Sequence, residues 1–202
     1  MPTSHYQKIS TLVELIVLTD PKRLIDIGVG FGKYGVLARE YLELWESNAS
    51  YGKWNRRIDG IEIFETYLSP LHDYVYDNVY VGDAAEVLKS SSETYDLALL
   101  IDVLEHCTYE HGAALLRRCQ AVCRNLLICT PKNIGEQGDM FGNPNETHRF
   151  QWEKSHFEQS KNHFFVPDPA SLICYVGEDA SRVWSWRLRA RLARAEHKSR
   201  ES

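Results

Sequence analysis

The chain has 202 residues, of which 44% are hydrophobic, and its net charge is −5. This length and composition suit one globular domain with a buried core, and the acidic balance argues against a nucleic-acid scaffold. No apolar stretch approaches the length of a membrane span, and the N-terminus lacks the basic and apolar segments of a secretory signal, so we expect a cytoplasmic protein. The five cysteines include no Cys-x-x-Cys pair, which disfavours a disulfide framework or a zinc site.

Hydrophobic periodicity divides the chain into alternating helices and strands. Apolar residues at helical spacing predict an amphipathic helix over 6–18, and a buried strand over 23–27 leads through a glycine-rich turn into a second helix over 33–45. Later strands are predicted at 57–63, 78–81, 96–101 and 126–129, and later helices at 67–76, 84–89 and 110–122. This repeat predicts a Rossmann-like, doubly wound α/β fold, with a mostly parallel sheet and helices on both faces.

The C-terminal part departs from this repeat. Strands predicted at 163–166 and 172–176 are separated by five residues, so we expect an antiparallel pair at the sheet edge. We place the domain at 1–180 and a basic tail at 181–202, which contains seven Arg or Lys and two Glu. The composition of the tail favours a helix over a strand. This helix either docks on the domain or presents a basic surface to an acidic partner or a membrane.

The turn after the first strand carries Asp26, Gly28, Gly30 and Gly32. A glycine turn that enters a helix lets the backbone approach a ligand closely. One interpretation is a dinucleotide site, because Gly30 begins a Gly-x-Gly-x-x-Gly pattern. That pattern starts two residues later than this class requires, and the first strand-end acid, Glu62, also comes late. An NAD-dependent oxidoreductase is therefore the weaker alternative.

The same turn, taken as Asp26-x-Gly28-x-Gly30-x-Gly32, resembles the first motif of class I S-adenosylmethionine-dependent methyltransferases. Segments 58–62, 81–84, 95–106 and 127–131 are similar to later motifs of this family, so the resemblance covers about 22–132 in the family's order. It implies a bound S-adenosylmethionine, with Asp26 near the methionine ammonium group, Glu62 on the ribose hydroxyls and Asp83 on the adenine amino group. The implied cofactor half is 22–107, with Asp26, Gly28, Gly30, Gly32, Glu62, Asp83, Ala84 and Asp102 as cofactor-binding residues. Asp83 could alternatively serve only as a helix N-cap.

A long polar and aromatic loop, 131–152, follows the fifth strand. Such a loop in a compact domain is more often a binding element than a simple connection. It resembles the corresponding segment of a bacterial methyltransferase subgroup with Gln-Gly, Phe-Gly-Asn-Pro and Glu-x-His-x-x-x-Trp patterns. The resemblance implies that this loop covers the acceptor site, with Gln137, Asn143, Glu146 and Trp152 as candidate substrate contacts. Trp152 could equally be a core anchor for the next helix.

Methyl transfer requires alignment of a nucleophile with the cofactor's carbon–sulfur bond, and it needs no metal. If the acceptor is a hydroxyl group, a general base helps, and His106 and His148 are the candidates. His106 could instead be a helix-start residue bonded to backbone. No Asp- or Asn-Pro-Pro-aromatic run follows the fourth strand, which disfavours methylation of nucleic-acid bases. The sequence thus predicts methyl transfer to a small-molecule oxygen nucleophile, with a non-catalytic cofactor-binding subunit as an alternative.

Overall fold

The computed structural model describes residues 6–45, 52–160 and 162–200, and for 193–200 it describes the backbone only. Residues 1–5 of the predicted domain and residues 201–202 of the predicted tail lie outside the described part. Within it, one sheet with helices on both faces forms the body of the protein.

The sheet has seven strands in the order β3-β2-β1-β4-β5-β7-β6. All neighbouring pairs from β3 to β5 are parallel, whereas β7 runs antiparallel to both β5 and β6. The mostly parallel, doubly wound fold predicted from the sequence is thereby confirmed, with β7 placed next to the edge strand β6. The strands are β1 (Arg23–Ile27), β2 (Arg57–Glu62), β3 (Asn78–Val81), β4 (Tyr95–Ile101), β5 (Cys123–Pro131), β6 (His163–Val166) and β7 (Ser171–Gly177).

The helices are α1 (Ile9–Thr19), α2 (Lys33–Arg39), α3 (Pro70–Val75), α4 (Ala84–Ser90), α5 (Tyr109–Val122) and α6 (Ala180–Arg200). A 3-10 turn, Tyr6–Lys8, precedes α1, and a π-helical turn, Glu40–Leu44, continues α2. α3 starts later than predicted because Ser69 forms a capping box with His72 and Pro70 occupies the first helical position.

Two apolar cores lie on opposite faces of the sheet. Along β1, Leu24 packs into the core beneath α1, α2, α3 and α6, whereas Ile25 and Ile27 pack into the core beneath α4 and α5. This alternation follows from the two-residue period of a strand. Because helices cover both faces, β1 and β4 are buried on both sides rather than on one.

The segment predicted as a basic tail forms α6, whose first half packs against α1. Val183 is fully buried, and Arg187 is 2% exposed with its Nε 3.0 Å from a carboxylate oxygen of Glu14. Leu188 and Leu192 lie on the exposed side of the same helix. The described first half of α6 is therefore part of the packed domain. None of the described helices has the length and apolar character required to span a membrane.

Candidate functional site

A cavity of about 400 Å³ opens at the carboxyl ends of the parallel strands. It lies where the strand order reverses between β1 and β4, which is where doubly wound sheets bind their ligands. Its volume falls within the range of small-molecule and cofactor sites. The sequence-predicted residues of the cofactor half that line it are Gly28, Gly30, Glu62, Asp83, Ala84 and Asp102.

The glycine turn forms one wall of this cavity. Gly28, Gly30 and Gly32 have φ values of 72°, 51° and 78°, a conformation that glycine adopts far more readily than other residues. The Gly28 amide donates to the Ile61 carbonyl at 2.8 Å, and the Gly32 amide donates to the Val29 carbonyl at 2.8 Å. These two amides are therefore engaged within the protein. Gly32 itself is not part of the cavity wall, although the resemblance implied that it binds the cofactor.

Glu62 ends β2 directly beside the glycine turn. One carboxylate oxygen accepts from the Gly30 amide at 2.9 Å, and the other accepts from the Phe64 amide at 2.9 Å. Burial raises the pKa of Glu62, whereas the hydrogen bonds from Phe64 and Gly30 lower it. Each carboxylate oxygen can accept more than one hydrogen bond. The side chain is thus fixed at the cavity wall and retains acceptor capacity for ligand hydroxyl groups.

Asp83 caps the N-terminus of α4 and also lines the cavity. Its Oδ1 accepts from the backbone amides of Ala85 at 2.9 Å and Glu86 at 3.2 Å. Its Oδ2 lies 3.0 Å from Nε2 of His111, a cavity-lining residue in the first turn of α5. The helix-cap interpretation therefore holds for one oxygen of Asp83, and the other oxygen has a histidine partner at the cavity.

Asp26 does not line the cavity, contrary to the role that the resemblance implied. Its side chain is buried on the side of β1 that faces α3, where the Tyr76 hydroxyl donates to Oδ2 at 2.7 Å. Burial raises the pKa of Asp26 to about 7, even though the Tyr76 hydrogen bond lowers it. We therefore correct the assignment: this carboxylate supports the turn from behind and offers no cavity surface to an ammonium group.

Asp102, directly after β4, is the carboxylate that the cavity exposes near the turn. Its φ of 56° lies in the left-handed region, which is unusual for a residue other than glycine. Its Oδ1 pairs with Nζ of Lys8 at 2.5 Å, whereas Oδ2 is buried and has no hydrogen-bond partner among the described residues. Lys8 precedes α1 and is 4% exposed, so this ion pair links the N-terminal segment to the site.

The two candidate catalytic histidines are adjacent, but only one reaches the cavity. His106 lines the cavity, and its ring centroid lies 5.1 Å from that of His148. Burial lowers the pKa of His106, and its buried Nδ1 has no hydrogen-bond partner among the described residues. His148 lies outside the cavity wall, with Nδ1 3.4 Å from the Gly135 carbonyl oxygen. This placement contradicts direct contact of His148 with an acceptor in this conformation.

The long loop contributes Asn143, Asn145, Glu146 and Arg149 to the cavity wall, and Asn143 and Glu146 are among the predicted substrate contacts. Asn143 is buried, and its side-chain oxygen accepts from the Asn145 amide at 2.9 Å. The Tyr67 hydroxyl, which comes from the β2–α3 connection, donates to a carboxylate oxygen of Glu146 at 3.0 Å. The two connections therefore meet across the cavity through this contact.

Gln137 and Trp152 support the loop from outside the cavity wall, so both predictions of substrate contact are corrected. The Gln137 side chain donates to the Glu146 carbonyl at 2.7 Å and thereby braces the segment that carries Glu146. Trp152 is 2% exposed, and its indole N–H donates to the Leu104 carbonyl at 2.9 Å. Its ring fits against Gly112 of α5, where a Cβ would lie 2.4 Å from a ring carbon. Trp152 is thus a core anchor.

Comparison by sequence finds no matching family model and no match among curated proteins. Comparison of structures does find similar proteins. An O-methyltransferase family protein from Burkholderia thailandensis matches with a TM-score of 0.60 and 11% identity over 85% of this chain. A SAM-dependent methyltransferase from Archaeoglobus fulgidus matches with a TM-score of 0.56 and 16% identity over 77% of this chain and 86% of its own. The chain has a methyltransferase fold.

A third structure with this methyltransferase fold is the N-terminal domain of EvdMO1, determined in the presence of SAH and D-fucose. It matches with a TM-score of 0.59 and 12% identity over 87% of this chain and 84% of its own. The chain spans only 55% of the Burkholderia protein. At these identities the comparisons establish the architecture, and the chemistry has to be argued from the side chains of the cavity.

Within the methyltransferase fold, sequence reasoning missed three residues that contribute to the site. They are Lys8, Tyr67 and His111, and each contacts a predicted residue that is distant in the chain. Lys8 lies 94 residues from Asp102, and Tyr67 lies 79 residues from Glu146. No local pattern could reveal these contacts. One weak signal was available for Lys8. It lies in the segment predicted as an amphipathic helix, and a lysine that is buried needs an acidic partner.

In the described part of the chain, no group of three or more metal-binding side chains occurs.

Proposed function

We propose that the protein is an S-adenosylmethionine-dependent methyltransferase that acts on an oxygen nucleophile of a small molecule. The observation that carries this proposal is the chemistry of the cavity wall. Glu62, Asp83 and Asp102 present carboxylates to one cavity, beside a turn whose Gly30 amide already donates to Glu62. This wall suits a ligand with cationic, hydroxyl and amino groups. It is less suited to a pyrophosphate, which binds to free backbone amides and is repelled by neighbouring carboxylates.

We assign these carboxylates to the parts of S-adenosylmethionine in the order of the strands. Glu62, fixed at the end of β2, would accept from the ribose hydroxyls, and Asp83 with the backbone of Ala84 would bind the adenine ring. The glycine turn between them leaves space for the thioether and the amino-acid end. The match to a domain determined in the presence of SAH supports the same class of ligand.

The cofactor supplies an electrophilic methyl carbon on a sulfonium, and the protein residues align and deprotonate the acceptor. The hydroxyl proton of the acceptor would pass to His106, whose lowered pKa keeps the ring neutral near pH 7. Asn143 and Glu146, which line the cavity, would provide polar contacts to the acceptor. D-fucose in the EvdMO1 domain structure makes a hydroxylated small molecule a reasonable class to test.

Isothermal titration calorimetry tests the cofactor assignment. We expect S-adenosylmethionine and its demethylated product to bind with a Kd in the micromolar range, and NADH to give no saturable heat. The variant Glu62→Gln should weaken binding of the product by about tenfold or more, about 1.4 kcal/mol, because it removes the charge from the ribose contacts. Glu65→Gln is the matched control, since Glu65 is exposed and outside the cavity wall.

Two outcomes of this titration, and one outcome of a labelling assay, would contradict the proposal. Saturable NADH binding without binding of either methionine nucleoside would favour an oxidoreductase. Equal affinity of wild type and Glu62→Gln would remove Glu62 from the ribose site. Cofactor binding without transfer of a labelled methyl group to any compound in a cell extract would favour a non-catalytic subunit.

A further inference from the structure

Helix α6 carries an apolar stripe on a side that faces away from the domain. Trp184, Leu188 and Leu192 are 38%, 49% and 57% exposed, and their four-residue spacing aligns them along one side of the helix. We call these three residues the α6 stripe. Another side of the helix carries Val183 and Arg187, which are buried against the domain. Adjacent exposed apolar side chains on a folded protein often mark an interaction site.

Exposed arginines flank the α6 stripe. Because an α-helix turns by about 100° per residue, Arg189 lies on one side of the stripe and Arg191 on the other. Both are exposed, and neither forms an ion pair with any side chain that the structure describes. By contrast, the buried Arg187 has its Nε 3.0 Å from a carboxylate oxygen of Glu14. The two flanking guanidinium groups are therefore available to a partner with negative charge.

The basic helix is longer than the helix on which it packs, with 21 residues in α6 and 11 in α1. Arg182, near the start of α6, donates to the Leu18 carbonyl near the end of α1. Further along α6, Arg187 pairs with Glu14, which lies earlier in α1. The helices are thus antiparallel, and α6 extends past the start of α1. Residues 189–200 include five Arg or Lys and one Glu, whereas the whole chain has a net charge of −5.

A second copy of the chain is a poor partner for this face. In a symmetric dimer the same surface of each copy meets, so two α6 stripes would bring their flanking arginines together. Residues 181–192 contain no Asp or Glu that could compensate these charges. Like charges placed opposite each other in an interface are costly. The occupant is therefore expected to be acidic.

An anionic lipid surface fits both the stripe and its flanks. The apolar face of a surface helix enters the boundary between head groups and acyl chains, and basic side chains beside it are attracted to anionic lipids. Tryptophan suits this boundary because its ring is apolar and its N–H is polar. Trp184 is supported from the sheet edge by Phe164, with ring centroids 5.1 Å apart. An acidic protein would need a groove with carboxylates on both sides, whereas a bilayer needs no matched shape.

We propose that the exposed face of α6 binds an anionic lipid surface. The α6 stripe enters the head-group region, and Arg189 and Arg191 contact lipid phosphates. This attachment is independent of the proposed function, because none of the stripe residues lines the cavity. It is peripheral, and it weakens as salt screens the charges.

Sedimentation of the full chain with lipid vesicles tests this binding. One set of vesicles contains phosphatidylcholine alone, and the other contains phosphatidylcholine mixed with phosphatidylglycerol. We expect the mixed vesicles to bind the protein more tightly by about tenfold or more. Raising NaCl from about 0.05 M to about 0.5 M should release most of the bound protein.

Two changes in α6 test the two parts of the face. Leu188→Gln should weaken binding to the mixed vesicles by about fivefold or more, because it removes apolar surface from the stripe. The double variant Arg189→Gln with Arg191→Gln should weaken it by about tenfold or more, because it removes two charges. Glutamine favours the helix nearly as well as leucine and arginine do. The Tm of each variant shows whether its fold is intact.

Matched controls remove the same groups elsewhere on the surface. Leu71→Gln removes a leucine that is 44% exposed on α3. Arg117→Gln with Arg118→Gln removes two charges from exposed positions on α5. Both controls should leave the affinity for mixed vesicles within about twofold of the wild type, apart from the small effect of net charge.

Other outcomes would overturn the inference. Failure to bind mixed vesicles at low salt rejects a lipid surface, and equal binding to both kinds of vesicle rejects the role of the arginines. Equal weakening by the two arginine double variants means that overall charge acts, not α6. A dimer in lipid-free solution that Leu188→Gln dissociates would make a second copy the occupant. Binding to polyglutamate without binding to vesicles would indicate an acidic polypeptide instead.

Discussion

The wall of the cavity formed by strand ends and the wall formed by the loop after β5 are built in different ways. Glu62 ends β2, and Asp83 and Asp102 lie just after β3 and β4, so the sheet fixes where each of these segments begins. The loop after β5 is held by isolated contacts such as that between Gln137 and the Glu146 carbonyl. The motifs located the strand-end residues at the cavity except Asp26, and in the loop they located Asn143 and Glu146 but not the packing of Trp152. The direction of a loop side chain depends on what the loop packs against.

Trp152 shows this difference most clearly. The resemblance made it a candidate substrate contact, yet it is the buried anchor that attaches the acceptor loop to α5. The backbone amides of Arg149 and Phe150 bond to the Glu105 carbonyl just before it, at 2.8 and 3.3 Å. The loop is thus fixed to the segment after β4. A core residue therefore contributes to the placement of the loop.

The largest expected effect is on stability, and it tests the loop's anchor. Trp152→Ala should lower the free energy of unfolding by about 3–5 kcal/mol, the usual cost of removing a buried aromatic side chain. Urea denaturation followed by circular dichroism measures this change. Trp152→Phe should cost less and leave the KM for the acceptor unchanged, because the ring does not line the cavity. An altered KM with unchanged stability would indicate that Trp152 contacts the acceptor.

The next largest effect is on the rate of methyl transfer, and it distinguishes His106 from His148. His106→Ala should lower methyl transfer by about 100-fold, the lower end of the range for loss of a general base, while cofactor affinity changes little. His148→Ala is the comparison variant and should lose less, because His148 stands behind His106 and outside the cavity wall. Label incorporated from methyl-labelled cofactor into small molecules of a cell extract, at saturating cofactor, measures both. A greater loss with His148→Ala would reverse the two roles.

The smallest effect is a shift in the pH profile. A base must be neutral to accept a proton, and burial lowers the pKa of His106 below the ordinary histidine value of 6.5. Methyl transfer should therefore stay constant from about pH 7.5 down to about 6.5 and fall only below that. His106→Gln should remove this acid limb. An acid limb centred above pH 7 would contradict His106 as the base. Measurements should stop near pH 7.5, because Glu105, with a pKa of about 8, then begins to ionise beside Asp102.

The strands were the most predictable part of the fold. The bounds of β1, β3 and β6 agree with the sequence predictions, and β5 is longer than predicted because it pairs with β4 from Cys123 and with β7 as far as Pro131. Helix ends were less predictable, since local features set them. Pro70 delays α3, and the helix predicted over 33–45 changes to a π-helical turn after Arg39. The C-terminal segment fitted both helix and strand by pattern, and its packing on α1 accompanies the helical form.

The sequence by itself determined the order of strands and helices and the carboxylates that end the parallel strands. It could do so because hydrophobic periodicity and glycine turns are local properties of the chain. Only the tertiary structure decided which carboxylate faces the ligand cavity. Asp26 lies one residue before the end of β1, on the face it shares with Leu24, so the strand's alternation turns it into the helical layer beside Tyr76. Asp102 follows the end of β4, and Lys8, 94 residues away, reaches it only after α1 has packed on the sheet.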